Sequence, residues 1–157
     1  MGSARDLLVW LSAPEDVYER RARIAGYLVN EGYELPPSPH DAGYDEARVA
    51  HRVRGQEMTV AYSVVDQGGR RVYHYLENEV DHIMINRIER GDEWMLEHLA
   101  VIPTILRKGR PVLETPDKVI YQSHRTYRDF RGRRRVLWLV LHRNRRGQWY
   151  VETFYPR

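Results

Sequence analysis

His82, in the run Asp81-His-Ile, offers an imidazole that can take or give a proton near neutral pH. A lone histidine on an amphipathic helix also serves packing, and the sequence leaves both roles open. His98 stands at no i, i+4 spacing from His82, and no acidic third ligand accompanies the two, so no metal site is expected. The run Arg131-Gly-Arg-Arg-Arg135 reads either as a solvated turn or as a loop that contacts phosphate, because Gly132 lets a turn present several guanidinium groups together. Near the C-terminus, period-2 geometry predicts Val151, Thr153 and Tyr155 on one strand face, and Tyr150, Glu152 and Phe154 on the other. A threonine and a tyrosine on one face of an arginine-rich sheet suit a phosphate oxygen.

Those residues need elements to hold them. Val80, Ile83, Met84, Arg87 and Ile88 recur at helical spacing and predict a helix that stops at Gly91. Asp92 is the expected cap of a second helix, with Trp94, Met95, Leu99 and Ile102 inward, a restart or kink at Pro103 and an end at Gly109. Strands follow: Lys118–Phe130, Val136–His142, then a turn through Asn144-Arg-Arg-Gly into Gln148–Tyr155. Upstream, Ser12-Ala-Pro-Glu15 reads as a capping box for a helix carrying Val17, Tyr18, Arg21, Ile24, Ala25 and Leu28. The stretch 34–43 reads as a loop. Asp66-Gln-Gly-Gly predicts a hairpin between Glu57–Val65 and Arg70–Glu77. The order implies an α+β fold with helices on one face of an antiparallel sheet. Two regions are expected: 1–77 as a helix-plus-hairpin accessory part, and 78–157 as the part that carries chemistry.

The charge is as uneven as the motifs. The chain of 157 residues has net charge +3, but residues 1–80 carry −4, residues 81–157 carry +7 and residues 118–157 alone carry +9. A basic C-terminal quarter predicts a polyanionic partner, of which nucleic acid is the usual one. Arginine outnumbers lysine 23 to 2, which suits bidentate phosphate contacts and also fits a GC-rich coding sequence. The absence of cysteine removes disulfides, thiol catalysis and thiolate metal sites. No apolar run approaches the roughly 20 residues of a membrane span, and residues 1–9 lack the pattern of a signal peptide. A soluble protein in the cytoplasm, or one delivered into a target cell's cytoplasm, is the expectation.

Residues 78–157 resemble the metal-independent ribonucleases grouped under the barnase–EndoU–colicin–RelE-like (BECR) fold, particularly the phage- and toxin-associated branches. The resemblance rests on Asp81-His-Ile opening a helix, on Ile102-Pro-Thr-Ile-Leu106, on Pro116-Asp117 and on the basic strand with Arg125 and Arg128. The hydrophobic strand Val136–Leu141 and the terminal Val151-Glu-Thr-Phe-Tyr-Pro156 complete it. Related toxin domains often continue the helix as His-Ile-x-x-Arg-His. Here Asn86-Arg87 stand in the last two places, so a second helix histidine is missing, and every basic strand candidate is arginine.

The resemblance implies an endoribonuclease without cofactor or metal. In it His82 handles protons, Arg125 or Arg128 holds the phosphate, and Thr153 donates a hydrogen bond with Tyr155 as helper. Arg87, Arg131, Arg133, Arg134 and Arg135 are the expected RNA contacts. The chemistry is attack of the 2′-OH on the adjacent phosphorus to leave a 2′,3′-cyclic phosphate. RNA, tRNA included, is the expected partner, with an acidic immunity or antitoxin protein beside it and no membrane. The alternative is a non-catalytic nucleic-acid-binding module, in which Tyr121, Tyr127, Trp149 and Tyr150 stack on bases while Trp138 packs in the core.

Overall fold

The structure, a computed structural model, describes residues 4–12, 16–35, 47–53 and 55–157. Seven strands share one sheet: β1 (Ala47–Val53), β2 (Gln56–Val65), β3 (Arg71–Tyr75), β4 (Arg110–Glu114), β5 (Lys118–Gln122), β8 (Leu137–Arg143) and β9 (Trp149–Pro156). Their spatial order is β1-β2-β3-β9-β8-β5-β4, and β6 (Tyr127–Arg128) and β7 (Arg134–Arg135) form a separate ribbon inserted between β5 and β8. Every neighbouring pair in the sheet is antiparallel except β3 with β9, so the sheet is mixed rather than wholly antiparallel. Helices lie on one face of it, and the α+β architecture read from the sequence holds.

Local chemistry explains the elements. The predicted turn at Asp66 forms because its Oδ1 accepts from the N–H groups of Gly68 (3.0 Å) and Arg70 (2.8 Å), closing β2 onto β3. Asn144 does the same for β8 and β9, accepting from Arg146 and Gln148 (3.0 Å each). Helix α1 (Ala4–Ser12) ends at the residue expected to open the next helix. The Ser12 hydroxyl donates back to the Leu8 carbonyl (2.8 Å), and the cap of α2 (Val17–Asn30) is instead Asp16, which accepts from Tyr18 and Glu19. Pro14, Glu15 and most of the loop expected over 34–43 lie outside the described residues.

Two helices occupy the predicted stretch. The first, α3 (residues 76–89), begins and ends as an α-helix but is π-helical over Glu79–Met84. The second, α4 (residues 93–108), is a 3₁₀ helix over Glu93–Val101 and restarts as an α-helix at Ile102 with Pro103 in its first turn. Asp92 makes no side-chain cap bond to it. Gly109 closes α4 where only glycine fits, since a Cβ there would lie 2.6 Å from the Ile105 carbonyl oxygen.

One buried cluster joins Leu28 of α2, Val64 and Val72 of the first hairpin, Ile83 and Leu99 of the helices, and Leu139 and Phe154 of the C-terminal strands. The division expected at residue 77 runs through this layer, because β3 lies before it, β9 after it, and the two are paired.

Candidate active site

The parallel pairing of β3 with β9 lasts for only two residue pairs, Val72 with Trp149 and Tyr73 with Tyr150. At Tyr75 the chain leaves the sheet and turns directly into α3. From there α3 runs beside the rest of β9, tied to it by Asn78 Nδ2, which donates to the Val151 carbonyl (3.0 Å). Where strand gives way to helix a cleft of about 360 Å³ opens, lined by His82, Asn86, Arg87 and Arg90 from α3 and by Glu152, Thr153 and Tyr155 from β9. Steps of four residues stack His82, Asn86 and Arg90 along one helix side, and the Asn86 amide donates to the His82 carbonyl (2.8 Å).

A β-bulge builds the other wall. Leu141 pairs with Val151 but Val140 pairs with Thr153, so Glu152 is the extra residue on β9. The expected alternation therefore changes phase. Val151 and Phe154 both enter the core, while Thr153 and Tyr155 stand on the opposite face and Glu152 reaches the cleft.

Arg87 is the distinctive group here. It is 6% exposed, its Nε is buried without a partner, and among the described residues no carboxylate lies within ion-pair distance of its guanidinium. Burial lowers its affinity for the proton and the neighbouring Arg90 adds to that, with Asp92 acting in the opposite sense. The Tyr155 ring face lies 5.9 Å from its Cζ. A largely buried cation that makes no ion pair is costly, and a cleft beside it is where an anion is favoured.

Partly buried ion pairs fix α3 from below. Arg20 of α2 meets Asp81 (3.2 Å) and Arg21 meets Glu79 (3.1 Å), while the other Glu79 oxygen faces His74 Nε2 of β3 (3.1 Å). These contacts fall in and beside the π-helical segment that carries His82. Such a widened turn is a frequent companion of functional sites.

The cleft thus brings together His82, Arg87, Thr153 and Tyr155 from the residues expected by sequence, and adds Asn86, Arg90 and Glu152, which the sequence reading passed over. The remaining arginines go elsewhere. After Gln122 the chain leaves the sheet for the β6–β7 hairpin, and Tyr127 sets its ring 4.5 Å from that of His98 on α4. Arg125 is exposed, Arg128 donates to the Gly132 carbonyl (2.9 Å) and Arg134 to Thr126 Oγ1 (3.1 Å). Arg135 pairs with Asp129 (3.2 Å) and donates to the Arg157 carbonyl (3.0 Å). Arg131 and Arg133 are exposed and give their backbone N–H groups to Asp129 Oδ1 (2.9 Å each). None of these lines the cleft, so the expected meeting of Arg125 or Arg128 with His82 and Thr153 does not occur.

The aromatic residues also sort differently. Tyr121 is buried with its hydroxyl donated to Asp66 Oδ2 (2.7 Å), Trp149 lies under the Arg70 guanidinium (5.3 Å), and Tyr150 is half-buried beside His142. Trp138, expected in the core, is half-buried on the face away from the helices. A second cavity, about 600 Å³, lies between α2 and α4 and is lined by Val29, Tyr33, Leu35 and His98 with two carboxylates, Glu34 and Glu97. Its negative lining offers nothing to a phosphate. Among the described residues no group of three or more His, Asp or Glu side chains is placed to hold a metal ion, and no helix is long and apolar enough to cross a membrane.

Protein-family models, curated proteins and solved structures give no match to this chain.

Proposed function

We propose that the cleft between α3 and β9 is the active site of an endoribonuclease that cleaves RNA by attack of the 2′-OH, without a metal ion. The buried, unpaired guanidinium of Arg87 beside His82 and Thr153 is the observation that carries this reading. It offers fixed positive charge in a partly dry site to the phosphate whose equatorial oxygens gather charge in the transition state. Arg90 and the Thr153 hydroxyl add a second cation and a donor.

Glu152 and His82 supply the proton traffic. Glu152 takes the proton of the 2′-OH as that oxygen bonds to phosphorus. His82 gives a proton to the 5′-oxygen as its bond to phosphorus breaks, leaving a 2′,3′-cyclic phosphate and a free 5′-OH. In this proposal Arg87 takes the phosphate-holding role that the family resemblance implied for Arg125 or Arg128. The basic hairpin contacts RNA outside the cleft.

The test is incubation of the purified protein with total RNA and tRNA in EDTA, beside His82→Ala. Fragments ending in 2′,3′-cyclic phosphate are expected from the wild type, with a loss of about 10²–10⁴-fold in the variant. RNA that stays intact but shifts on a gel overturns the enzyme in favour of the nucleic-acid-binding module. Undiminished cleavage by His82→Ala removes that residue from the chemistry.

A further inference from the structure

The face of the sheet away from the helices carries a continuous row of cross-strand neighbours. Arg110 of β4 pairs with Gln122 of β5, Gln122 with Trp138 of β8, and Trp138 with Tyr155 of β9. The row is tied together laterally. Trp138 Nε1 donates to Gln122 Oε1 (3.2 Å), and the Trp138 and Tyr155 rings lie 6.1 Å apart. Cations flank the rings: the Arg157 Cζ is 4.6 Å from the Trp138 ring, and that of Arg87 is 5.9 Å from the Tyr155 ring. Beyond Arg157 the path continues through its carbonyl to Arg135 and so into the β6–β7 hairpin. There Phe130 is 66% exposed with the Arg131 guanidinium 5.2 Å from its ring.

A phenylalanine so exposed on a hairpin that hydrogen bonds have made rigid is poor economy for folding alone. Asp129 is buried and holds the Arg131 and Arg133 amides and the Arg135 side chain, so Phe130 is held out and not left to collapse inward. Tyr155 and Trp138 thus lie side by side between the Arg87 and Arg157 guanidinium groups, and Phe130 stands beside Arg131 on the adjoining hairpin. That is the pattern by which proteins hold unpaired nucleic acid, with bases stacked on aromatic faces and phosphates met by arginine. A duplex cannot use it in this way, because its bases are already stacked inside and turn only their edges outward. The local charge settles the sign of the partner: residues 118–157 carry +9.

We infer that this strip is a track for single-stranded RNA, leading from the cleft across Tyr155 and Trp138 to Phe130, and that the enzyme's substrates are unpaired for several nucleotides on one side of the cut. This inference rests on the ribonuclease reading for where the track begins, but not for whether the track binds. A uniformly 2′-O-methylated oligonucleotide, which lacks the attacking hydroxyl, separates the two. Its affinity for the wild type, Trp138→Ala, Phe130→Ala and Arg157→Ala is measured by fluorescence anisotropy, as a single strand and annealed to its complement. Phe130 and Arg157 are exposed, so those two variants serve should Trp138→Ala unfold.

The single strand is expected to bind at least tenfold more tightly than the duplex, with each aromatic substitution weakening it about tenfold. Equal binding of strand and duplex, or full affinity in Phe130→Ala and Arg157→Ala, overturns the track. So does a chain that binds neither form and is captured only by an acidic protein. Tight, aromatic-dependent binding by a protein that cleaves no RNA overturns the ribonuclease reading and leaves the track standing.

Discussion

Two parts of this molecule are rich in arginine, and they treat their charge in opposite ways. In the β6–β7 hairpin the guanidinium groups of Arg128, Arg134 and Arg135 are spent on Gly132, Thr126, Asp129 and Arg157, and those of Arg131 and Arg133 stand in water. In the cleft Arg87 is 6% exposed, makes no ion pair and leaves its Nε buried without a partner. Solvated charge is cheap and gives long-range attraction that salt screens. Desolvated, uncompensated charge costs stability, and such cost is tolerated where it acts on something bound. Charge density along the chain therefore marks where RNA is gathered. The isolated buried cation marks where it is acted on.

The sharpest way to break that contrast is to remove one arginine from each part. Arg87→Ala is expected to lower cleavage about 10²–10³-fold, as loss of one preorganised donor to a charged transition state does, while Arg133→Ala lowers it by only a few-fold. Initial rates on a single-stranded RNA at fixed salt decide it; equal losses would erase the distinction between gathering and acting. Arg87→Met sharpens it further. Replacing a buried ion without a partner by an apolar side chain of similar length should leave the melting temperature unchanged or raise it, even as activity disappears.

The two parts also differ in what anchors them. Beneath the cleft helix, Glu79 is fully buried between Arg21 and His74. Glu79→Ala leaves an arginine and a buried histidine without their shared carboxylate, and a loss of about 3 kcal/mol in unfolding free energy is expected by urea titration. Since the pairs run from α2 and β3 into the π-helical turn of His82, activity should fall together with stability. A variant as stable as the wild type would show that α3 is held by its apolar face alone.

The sequence disclosed one of these regions better than the other. Helical phase put Arg87 on the same inward face as Ile83 and Met84, and that face is the buried one. What phase could not say is that the arginine has no partner there, because that depends on β9, more than sixty residues further along the chain. The strands were harder. Period-2 reasoning carried Val151 onto the face of Thr153, but the bulge at Glu152 shifts the count by one, and nothing in Val-Glu-Thr announces a bulge. The same parity gap hid Trp138, since alternation tells which residues share a face and not which face the helices cover. The edge strand β4 and the strand β1 were not foreseen. Nor was the parallel joint between β3 and β9, whose partners lie far apart in the chain and carry no local signal. The capping box read at Ser12 was misplaced, because Ser12 ends α1 and Asp16 caps α2.

Acid offers the gentlest way to separate the regions. Burial alone would raise the Asp129 carboxyl, but the N–H groups of Arg133 and Arg131 and the Arg135 guanidinium outweigh it and hold the group below the ordinary carboxylate range. A carboxylate depressed in the folded state contributes its full stabilisation above the unfolded pKa, near 4. That contribution fades as pH falls through the lower, folded value. Because Asp129 serves only its own hairpin, its protonation should loosen residues 127–135 and leave the core intact. Amide exchange followed by NMR between roughly pH 5 and 3 should show the Arg131 and Arg133 amides losing protection while those of β8 and β9 keep theirs, and Asp129→Asn should show the loss already at neutral pH. Were the hairpin and the sheet to open together, the hairpin would be part of the cooperative core, and its arginines would not be the separately held gathering arm that the contrast with Arg87 requires.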